Sequence, residues 1–161
     1  MELIKATAAD VQAVAEIYES VKSGEFSVWN ENYPTADDAS RDEAAGCLYI
    51  LKDGEETIGC ASVEPEAEDD DLPFWRVNDG THREISRIAI SPAHQGKGYA
   101  AKMTELLIDR LKEQGVTSIH LLAAKKNLPA VSTYRSLGFE FIGECFRYGA
   151  DYFVCEKVLL K

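Results

Sequence analysis

The sequence lacks any apolar run close to the roughly 20 residues that a membrane-spanning helix requires. Its opening, MELIKATAADVQ, has no basic segment followed by an apolar stretch, the pattern typical of a secretory signal. The four cysteines are widely spaced, contain no CxxC pair, and form no metal-ligand pattern with the three histidines. We therefore expect reduced thiols, no metal, no membrane partner and a cytoplasmic location.

Basic residues are also scarce, since 17 Lys and Arg against 28 Asp and Glu give a formal net charge of −11. Such a balance argues against nucleic acid as a partner and leaves cationic molecules such as amines electrostatically favoured. No linker, repeat or change of composition divides the 161 residues. Residues 1–161 are therefore predicted to form one domain, which is long enough to bury a core without crosslinks.

Hydrophobic periodicity predicts the element order β-α-α-β-β-β-α-β-α-β-β, an α/β layout with a mixed sheet. Asp53-Gly54 predicts a hairpin turn between the second and third strands. The acidic run 64–71 is predicted to be a solvated loop between strands. The last two strands are predicted at Phe139–Tyr148 and Tyr152–Leu160.

The most informative segment is Gln95-Gly96-Lys97-Gly98-Tyr99-Ala100. A strand is predicted to end just before it at Ile90, and a long amphipathic helix starts immediately after it. Glycines at a helix start expose several backbone N–H groups to one point, where the positive end of the helix dipole adds to them. That arrangement suits a pyrophosphate, although an ordinary strand–turn–helix connection is the alternative.

Two other phosphate-binding motifs fit this segment less well. A Rossmann fingerprint expects an acidic residue at the end of the next strand, but here that strand reads SIHLLAAKKN. A P-loop requires Gly-Lys-Ser/Thr at a fixed distance after its first glycine, and the sequence does not supply it.

The strand before the turn changes phase, because Ile85 has the opposite parity to Ile88 and Ile90. A slip in a period-two pattern is what a β-bulge produces, and bulges often accompany active sites. The alternative is that Ile85 packs on the other face of a sheet that is covered on both sides. The pattern leaves both interpretations open.

With these residues in place, the chain resembles the GNAT superfamily of acyl-CoA-dependent N-acyltransferases. The family signature Arg/Gln-x-x-Gly-x-Gly/Ala is matched by Gln95, Gly98 and Ala100. A second family pattern, N-x-x-A-x-x-x-Y-x-x-x-G-F, is matched by Asn127, Ala130, Tyr134, Gly138 and Phe139. The resemblance is strong over residues 83–143 and extends elsewhere at the level of element order.

The resemblance implies a three-layer fold with helices flanking a mixed central sheet, whose fourth and fifth strands splay apart around acetyl-CoA. It implies that the backbone of Ile88–Ile90 pairs with the pantetheine arm and that the amides of Gly96 to Ala101 hold the pyrophosphate. Lys97 would add a charge contact, and Asn127 would hydrogen-bond the cosubstrate. The complete set of expected cofactor-binding residues is Ile88, Ala89, Ile90, Gln95, Gly96, Lys97, Gly98, Tyr99, Ala100, Ala101 and Asn127.

For catalysis, the resemblance implies that Tyr134 protonates the departing thiolate. Its alternative role is that of a core aromatic. Glu84 is the first candidate for a base that acts through water, with a pKa raised by burial, and His82 is the second. The alternative for both residues is an exposed strand end, and some members of the family have no discrete base.

The remaining histidines, His94 and His120, are assigned no role. Trp29, Tyr33 and Trp75 flank segments that border the acceptor site in this family, although packing is their alternative role.

The implied activity is transfer of an acetyl group from acetyl-CoA to the primary amine of a small molecule, by direct attack in a ternary complex. The alternatives are a protein N-terminal or lysine acetyltransferase and a non-catalytic acyl-CoA-binding regulator. A Rossmann-like NAD enzyme is a further competitor. A homodimer is among the assemblies compatible with the family.

Overall fold

The computed structural model describes residues 1–159. The predicted end of the last strand at Leu160, and the last two residues of the predicted domain, lie outside the described residues. The helices and strands are β1 Glu2–Lys5, α1 Val11–Val21, α2 Ala36–Ala44, β2 Leu48–Asp53, β3 Glu56–Glu64, β4 His82–Ile90, α3 Tyr99–Glu113, β5 Ser118–Ala124, α4 Leu128–Ser136, β6 Glu140–Arg147 and β7 Ala150–Val158. This order is the one that hydrophobic periodicity predicts.

The strands form one mixed sheet in the order β1-β2-β3-β4-β5-β7-β6. Strands β4 and β5 pair in parallel, and the other neighbouring strands pair antiparallel. The predicted mixed α/β sheet is therefore confirmed.

Helices cover both faces of this sheet. Leu51 packs in a core cluster with residues of α3 and α4, whereas the preceding residue, Ile50, packs in a second cluster with residues of α1 and α2. Because successive strand residues point to opposite faces, the two clusters lie on opposite sides of the sheet. The predicted three-layer arrangement is confirmed.

The predicted chain reversals occur where the sequence indicates them. The Asp53-Gly54 turn joins β2 to β3, and Gly54 has a φ of +63°. After α4, Gly138 adopts a φ of +85°, a left-handed conformation that glycine adopts without steric cost.

Strands β4 and β5 pair over three residues only. Their register joins His82 to Ser118, Arg83 to Ile119 and Glu84 to His120, and it ends there. Beyond Glu84 the two strands separate, as the resemblance implies. This separation creates the space in which the candidate site lies.

The acidic run 64–71 is only partly the solvated loop that its composition predicts. It contains a short 3₁₀ helix, Glu68–Asp71, in which Asp69 is 5% exposed. The Asp69 carboxylate accepts hydrogen bonds from Arg147 at 2.9 Å and from the Tyr148 hydroxyl at 2.8 Å. The prediction was wrong for Asp69, because these distant donors compensate for its burial. Separately, none of the helices within residues 1–159 combines the length and the hydrophobicity that crossing a bilayer requires.

Candidate active site

A β-bulge interrupts β4 at Arg87 and Ile88. Cys60 pairs with Ala89 and Ser62 pairs with Ser86, so the two residues between them on β4 lie opposite the single residue Ala61 on β3. Arg87 adopts a φ of +48°, which is uncommon for a residue with a side chain. The bulge brings Ile85 and Ile90 into the same core cluster despite their opposite parity. The bulge interpretation of the sequence is therefore confirmed.

A cleft of about 590 Å³ opens where β4 and β5 separate. One wall is the stretch of β4 that contains the bulge, and the other is the end of β5 together with the start of α4. The start of α3 lies at one end of the cleft, and the segment 24–29 between α1 and α2 also lines it. The cleft therefore connects the gap in the sheet to a helix N-terminus.

The turn before α3 is built as an anion site requires. Gly96 and Gly98 have φ values of +77° and +83°, and a Cβ on either would meet no atom within 4 Å. Gly98 is the N-cap of α3 and provides no side-chain acceptor. The first N–H groups of a helix have no intrahelical partner, and here no N-cap side chain accepts from them. Tyr99, Ala100 and Ala101, which begin α3, line the cleft. These amides can bind a phosphate-sized anion.

Ten of the eleven predicted cofactor-binding residues line the cleft, and Lys97 does not. Two of the ten have internal partners for their side chains. The Gln95 amide donates to the Ile90 carbonyl at 2.9 Å, which braces the turn, and Asn127 Oδ1 accepts from the Ala130 amide at 3.3 Å, which caps α4. The structure thus brings ten of the predicted residues together around one cavity, and it gives Gln95 and Asn127 a role in shaping that cavity.

Tyr134 lines the cleft from α4 and is only 6% exposed. Its ring packs edge-to-face against Phe139 with centroids 5.7 Å apart. Burial raises the pKa of Tyr134, so its hydroxyl keeps its proton at neutral pH. The ring is therefore part of the core, and the residue also contacts the cavity.

Glu84 lies just before the bulge but does not appear in the lining of the cleft. It is 5% exposed, and its Oε1 has no hydrogen-bond partner among the described residues. Burial first, and the nearby Asp69 carboxylate second, raise the pKa of Glu84 to about 10. Glu84 is therefore a neutral carboxylic acid at pH 7, and in this form the nearby Asp69 carboxylate does not repel it.

His82 is also buried, at 3% exposure, so the alternative of an exposed strand end is wrong for both Glu84 and His82. Its Nε2 lies 3.0 Å from Asp70 Oδ1, and its Nδ1 accepts from the Gly80 amide at 3.3 Å. These partners place the proton on Nε2, which donates to Asp70.

Three aromatic rings, two of them on β4 and β5, stack on one another. His120 lies between Trp75, at 3.7 Å, and His82, at 4.4 Å, measured between ring centroids. Candidate ligand atoms of Asp70, His82 and His120 lie within 4.8 Å of one another. The two imidazole planes are only 15° apart, however, so their lone pairs lie in nearly parallel planes. Because a metal ion lies close to the plane of each imidazole that binds it, this arrangement fits packing better than shared coordination.

The sequence analysis missed Arg87, the charged side chain at the bulge. It lines the cleft, and its Nε lies 2.8 Å from Asp42 Oδ2. Its other nitrogens donate to the Tyr33 hydroxyl at 2.8 Å and lie 3.1 Å from Glu64 Oε1. Burial alone would lower the pKa of Arg87, but Tyr33 and Asp42 more than offset that effect, so the guanidinium stays charged.

The predicted aromatic residues at the acceptor side have different positions. Trp29 lines the cleft, and Tyr33 contacts it through Arg87. Trp75 instead stacks on His120 and donates from Nε1 to the Asp69 carbonyl at 2.9 Å.

Comparison with known proteins agrees with this geometry. The model of the acetyltransferase (GNAT) family matches residues 12–139. The chain belongs to the GNAT family. The resemblance that the two motifs carry is therefore confirmed.

Among curated relatives, the L-amino acid N-acyltransferase MnaT of Escherichia coli K12 is 26% identical over 94% of this chain and 87% of its own. N-acetyltransferase family 8 member 2 of the rat is 24% identical over 64% of this chain. The matches cover 42% of that rat protein and 40% of mouse N-acetyltransferase 8, so they span about two fifths of those relatives.

Solved structures share the fold over nearly the whole chain. A GNAT-family acetyltransferase of Streptococcus agalactiae gives a TM-score of 0.81 at 22% identity, covering 99% of this chain and 96% of that one. The structure of yncA from Salmonella typhimurium, which contains its cofactor acetyl-CoA, gives 0.76 at 24% identity, covering 100% and 95%. At these identities the likeness shows the fold.

Proposed function

We propose that this GNAT protein transfers the acetyl group of acetyl-CoA to the primary amine of a small molecule, by direct attack while both are bound. The observation that carries this proposal is the continuity of one cleft from the gap between β4 and β5 to the free amides that begin α3. A long thioester with a diphosphate needs both features at once: a channel for its arm and an anion site at the end of that channel.

The residues of the cleft fit acetyl-CoA. Gly96 and Gly98 leave the space above the turn open, so a diphosphate would reach the amides of the first helical turn. The edge of β4 beyond Glu84 has lost its pairing with β5, which leaves backbone groups near the bulge for a pantetheine arm. Acetyl-CoA would supply an activated acyl group, and the protein would supply binding, orientation and proton transfer.

The chain offers a proton donor and amides at the reacting end. The protonated Tyr134 hydroxyl would donate to the departing sulfur. An amide of Ile88 or Ala89 at the bulge would donate to the carbonyl oxygen, where negative charge develops. Both contributions require alignment with an amine that enters beside Arg87 and Trp29.

Glu84 remains our proposed base, acting through water from behind the bulge. With a pKa of about 10, Glu84 is protonated at pH 7. It must lose this proton before it can accept one, through water, from the attacking amine. A base with this property predicts activity that increases with pH well above neutrality.

The decisive experiment measures thiol release from acetyl-CoA in the presence of a broad panel of primary amines, with CoA binding measured separately by calorimetry. The proposal expects thiol release that depends on the amine, together with an acetylated product in mass spectrometry. If CoA binds and no amine is acetylated, the protein is a non-catalytic acyl-CoA-binding module. If NAD rather than CoA raises the melting temperature, the cleft binds a different dinucleotide and the proposal fails.

A further inference from the structure

We infer that the acceptor is an amine whose α-carbon carries no free carboxylate, because the one strong cation in the described lining of the cleft is already neutralised. This inference rests on the proposed function and specifies the substrate class of the same site. The cation is Arg87, at the bulge where the acceptor would meet the acyl group.

The donors of Arg87 are nearly all in use. Nε and one terminal nitrogen face the two oxygens of Asp42, at 2.8 and 3.3 Å. That same terminal nitrogen lies 3.1 Å from Glu64, and the other donates to Tyr33 at 2.8 Å. The Arg87 side chain is 8% exposed. A substrate carboxylate would therefore find almost no free donor on this guanidinium.

The charge around Arg87 also disfavours an anion. Arg87 contributes one positive charge, while Asp42 and Glu64 contribute two negative charges within 3.3 Å of it. Arg41 approaches Asp42 only to 3.8 Å and pairs more closely with Asp38, at 2.9 Å. Like charges repel and opposite charges attract most strongly where water is excluded. A carboxylate attached next to the amine would thus be repelled, whereas a neutral or cationic substituent would be accepted.

The rest of the acceptor side is aromatic. Phe26, Trp29 and Tyr152 also line the cleft. Two lysines, Lys125 and Lys126, line a neighbouring cavity rather than the cleft. Lys125 pairs with Glu144, and Lys126 donates to the Ser27 carbonyl at 3.3 Å. An aromatic amine without a carboxylate matches this surface.

The test uses three probes that differ at one substituent: tyramine, L-tyrosine and L-tyrosinamide. Each is titrated by calorimetry into the full chain loaded with CoA. We expect tyramine and tyrosinamide to bind with similar affinity and tyrosine to bind about tenfold more weakly or worse. Tyrosinamide controls for size, since it keeps the bulk of the substituent without its charge.

A variant then assigns the effect to Arg87. Glu64→Gln removes one neutralising carboxylate. It should raise the affinity for tyrosine, relative to the affinity for tyramine, by about threefold or more. Glu140→Gln is the matched control, because Glu140, on β6, pairs with Arg76 and forms no ion pair with Arg87 among the described residues. Glu140→Gln should leave the ratio of the tyrosine affinity to the tyramine affinity unchanged.

Measuring binding and turnover separately distinguishes failure of the proposed function from failure of the inference about the acceptor. If the amines bind but release no thiol, the proposed function fails, while the affinity ratio still decides the inference. Tyrosine binding as tightly as tyramine, a ratio unaffected by Glu64→Gln, or no binding of any probe would each overturn the inference. So would a preference for tyrosine that Lys126→Gln abolishes, since that result places a carboxylate site in the neighbouring cavity.

Discussion

Glu84 and His120 form the last pair of the parallel ladder between β4 and β5, and the two strands part immediately beyond them. Both residues are buried, Glu84 at 5% and His120 at 0% exposure, on the face of the sheet opposite α3 and α4. The polar groups on this face are therefore shielded from bulk solvent, whereas the cleft between the separated strands is open.

The left-handed glycine at the start of α3 should be required for binding acetyl-CoA. Gly98→Ala should destabilise the fold by about 1 kcal/mol, because a side chain disfavours this backbone conformation. Relief of that strain would shift the adjacent amides, so CoA affinity measured by calorimetry should fall about tenfold. Gly54→Ala is the matched control, since Gly54 lies in the turn between β2 and β3 with a φ of +63°, and a Cβ added there would also meet no atom within 4 Å. An equal loss of affinity in both variants would contradict the assignment.

Removal of the Tyr134 hydroxyl should affect chemistry rather than binding. Tyr134→Phe should lower kcat by about 100-fold, the lower range for loss of a general acid, while CoA affinity changes little. Tyr18→Phe removes another buried hydroxyl, from a residue outside the described lining of the cleft, and should leave kcat near that of the parent. Steady-state thiol release and calorimetry measure the two quantities. Unchanged kcat in Tyr134→Phe would leave Tyr134 as a core residue.

Removing one partner of the ion pair between Arg87 and Asp42 should lower the free energy of unfolding strongly. Their side chains are 8% and 6% exposed, so Asp42→Ala leaves a buried guanidinium with reduced compensation. We expect a loss of about 3 kcal/mol in the free energy of unfolding, measured by urea denaturation. The double variant Asp42→Ala/Arg87→Ala should lose less than the sum of the two single losses. Additive losses would indicate that the two charges do not stabilise each other.

Glu84 should make the protein less stable as the pH increases. Its folded-state pKa of about 10 exceeds the ordinary value of 4.5, so between these values the folded state binds a proton that the unfolded state has released. Stability from this group is therefore fully present below about pH 4.5 and is lost progressively as the pH rises toward 10. Glu84→Gln should flatten the decline, which melting temperatures at a series of pH values would show.

The same variant tests catalysis by Glu84. If Glu84 is the base, Glu84→Gln should abolish the alkaline increase in kcat and lower kcat about 100-fold or more. A variant with retained kcat and a flatter stability profile would assign Glu84 a structural role, and His82→Gln would then test the second candidate.

Local sequence patterns predicted those parts of the fold that local physics determines. The element order followed from hydrophobic periodicity, and the changed parity between Ile85 and Ile88 indicated a bulge as one of two interpretations. The glycine turn was recognised because a helix start leaves amides without partners. Each of these signals lies within a few consecutive residues.

Contacts between distant parts of the chain were not predictable in the same way. Asp42 and Arg87 are 45 residues apart, and Asp69 and Arg147 are 78 apart, so no spacing connects them. The acidic run therefore looked fully solvated, although Asp69 is buried against the hairpin between β6 and β7. The stack of Trp75, His120 and His82 was missed for the same reason.

The position of β7 between β5 and β6 has a consequence for biosynthesis. Strand β5 is joined to β4 by three residue pairs but to β7 by seven, so most of its anchorage in the sheet comes from β7, the last strand of the described residues. While the chain emerges from the ribosome, one wall of the cavity would remain loosely attached until β7 is released and inserts. A nascent chain that ends before β7 should therefore not bind CoA stably. On the proposed function, stable CoA binding would begin only when β7 has completed the sheet.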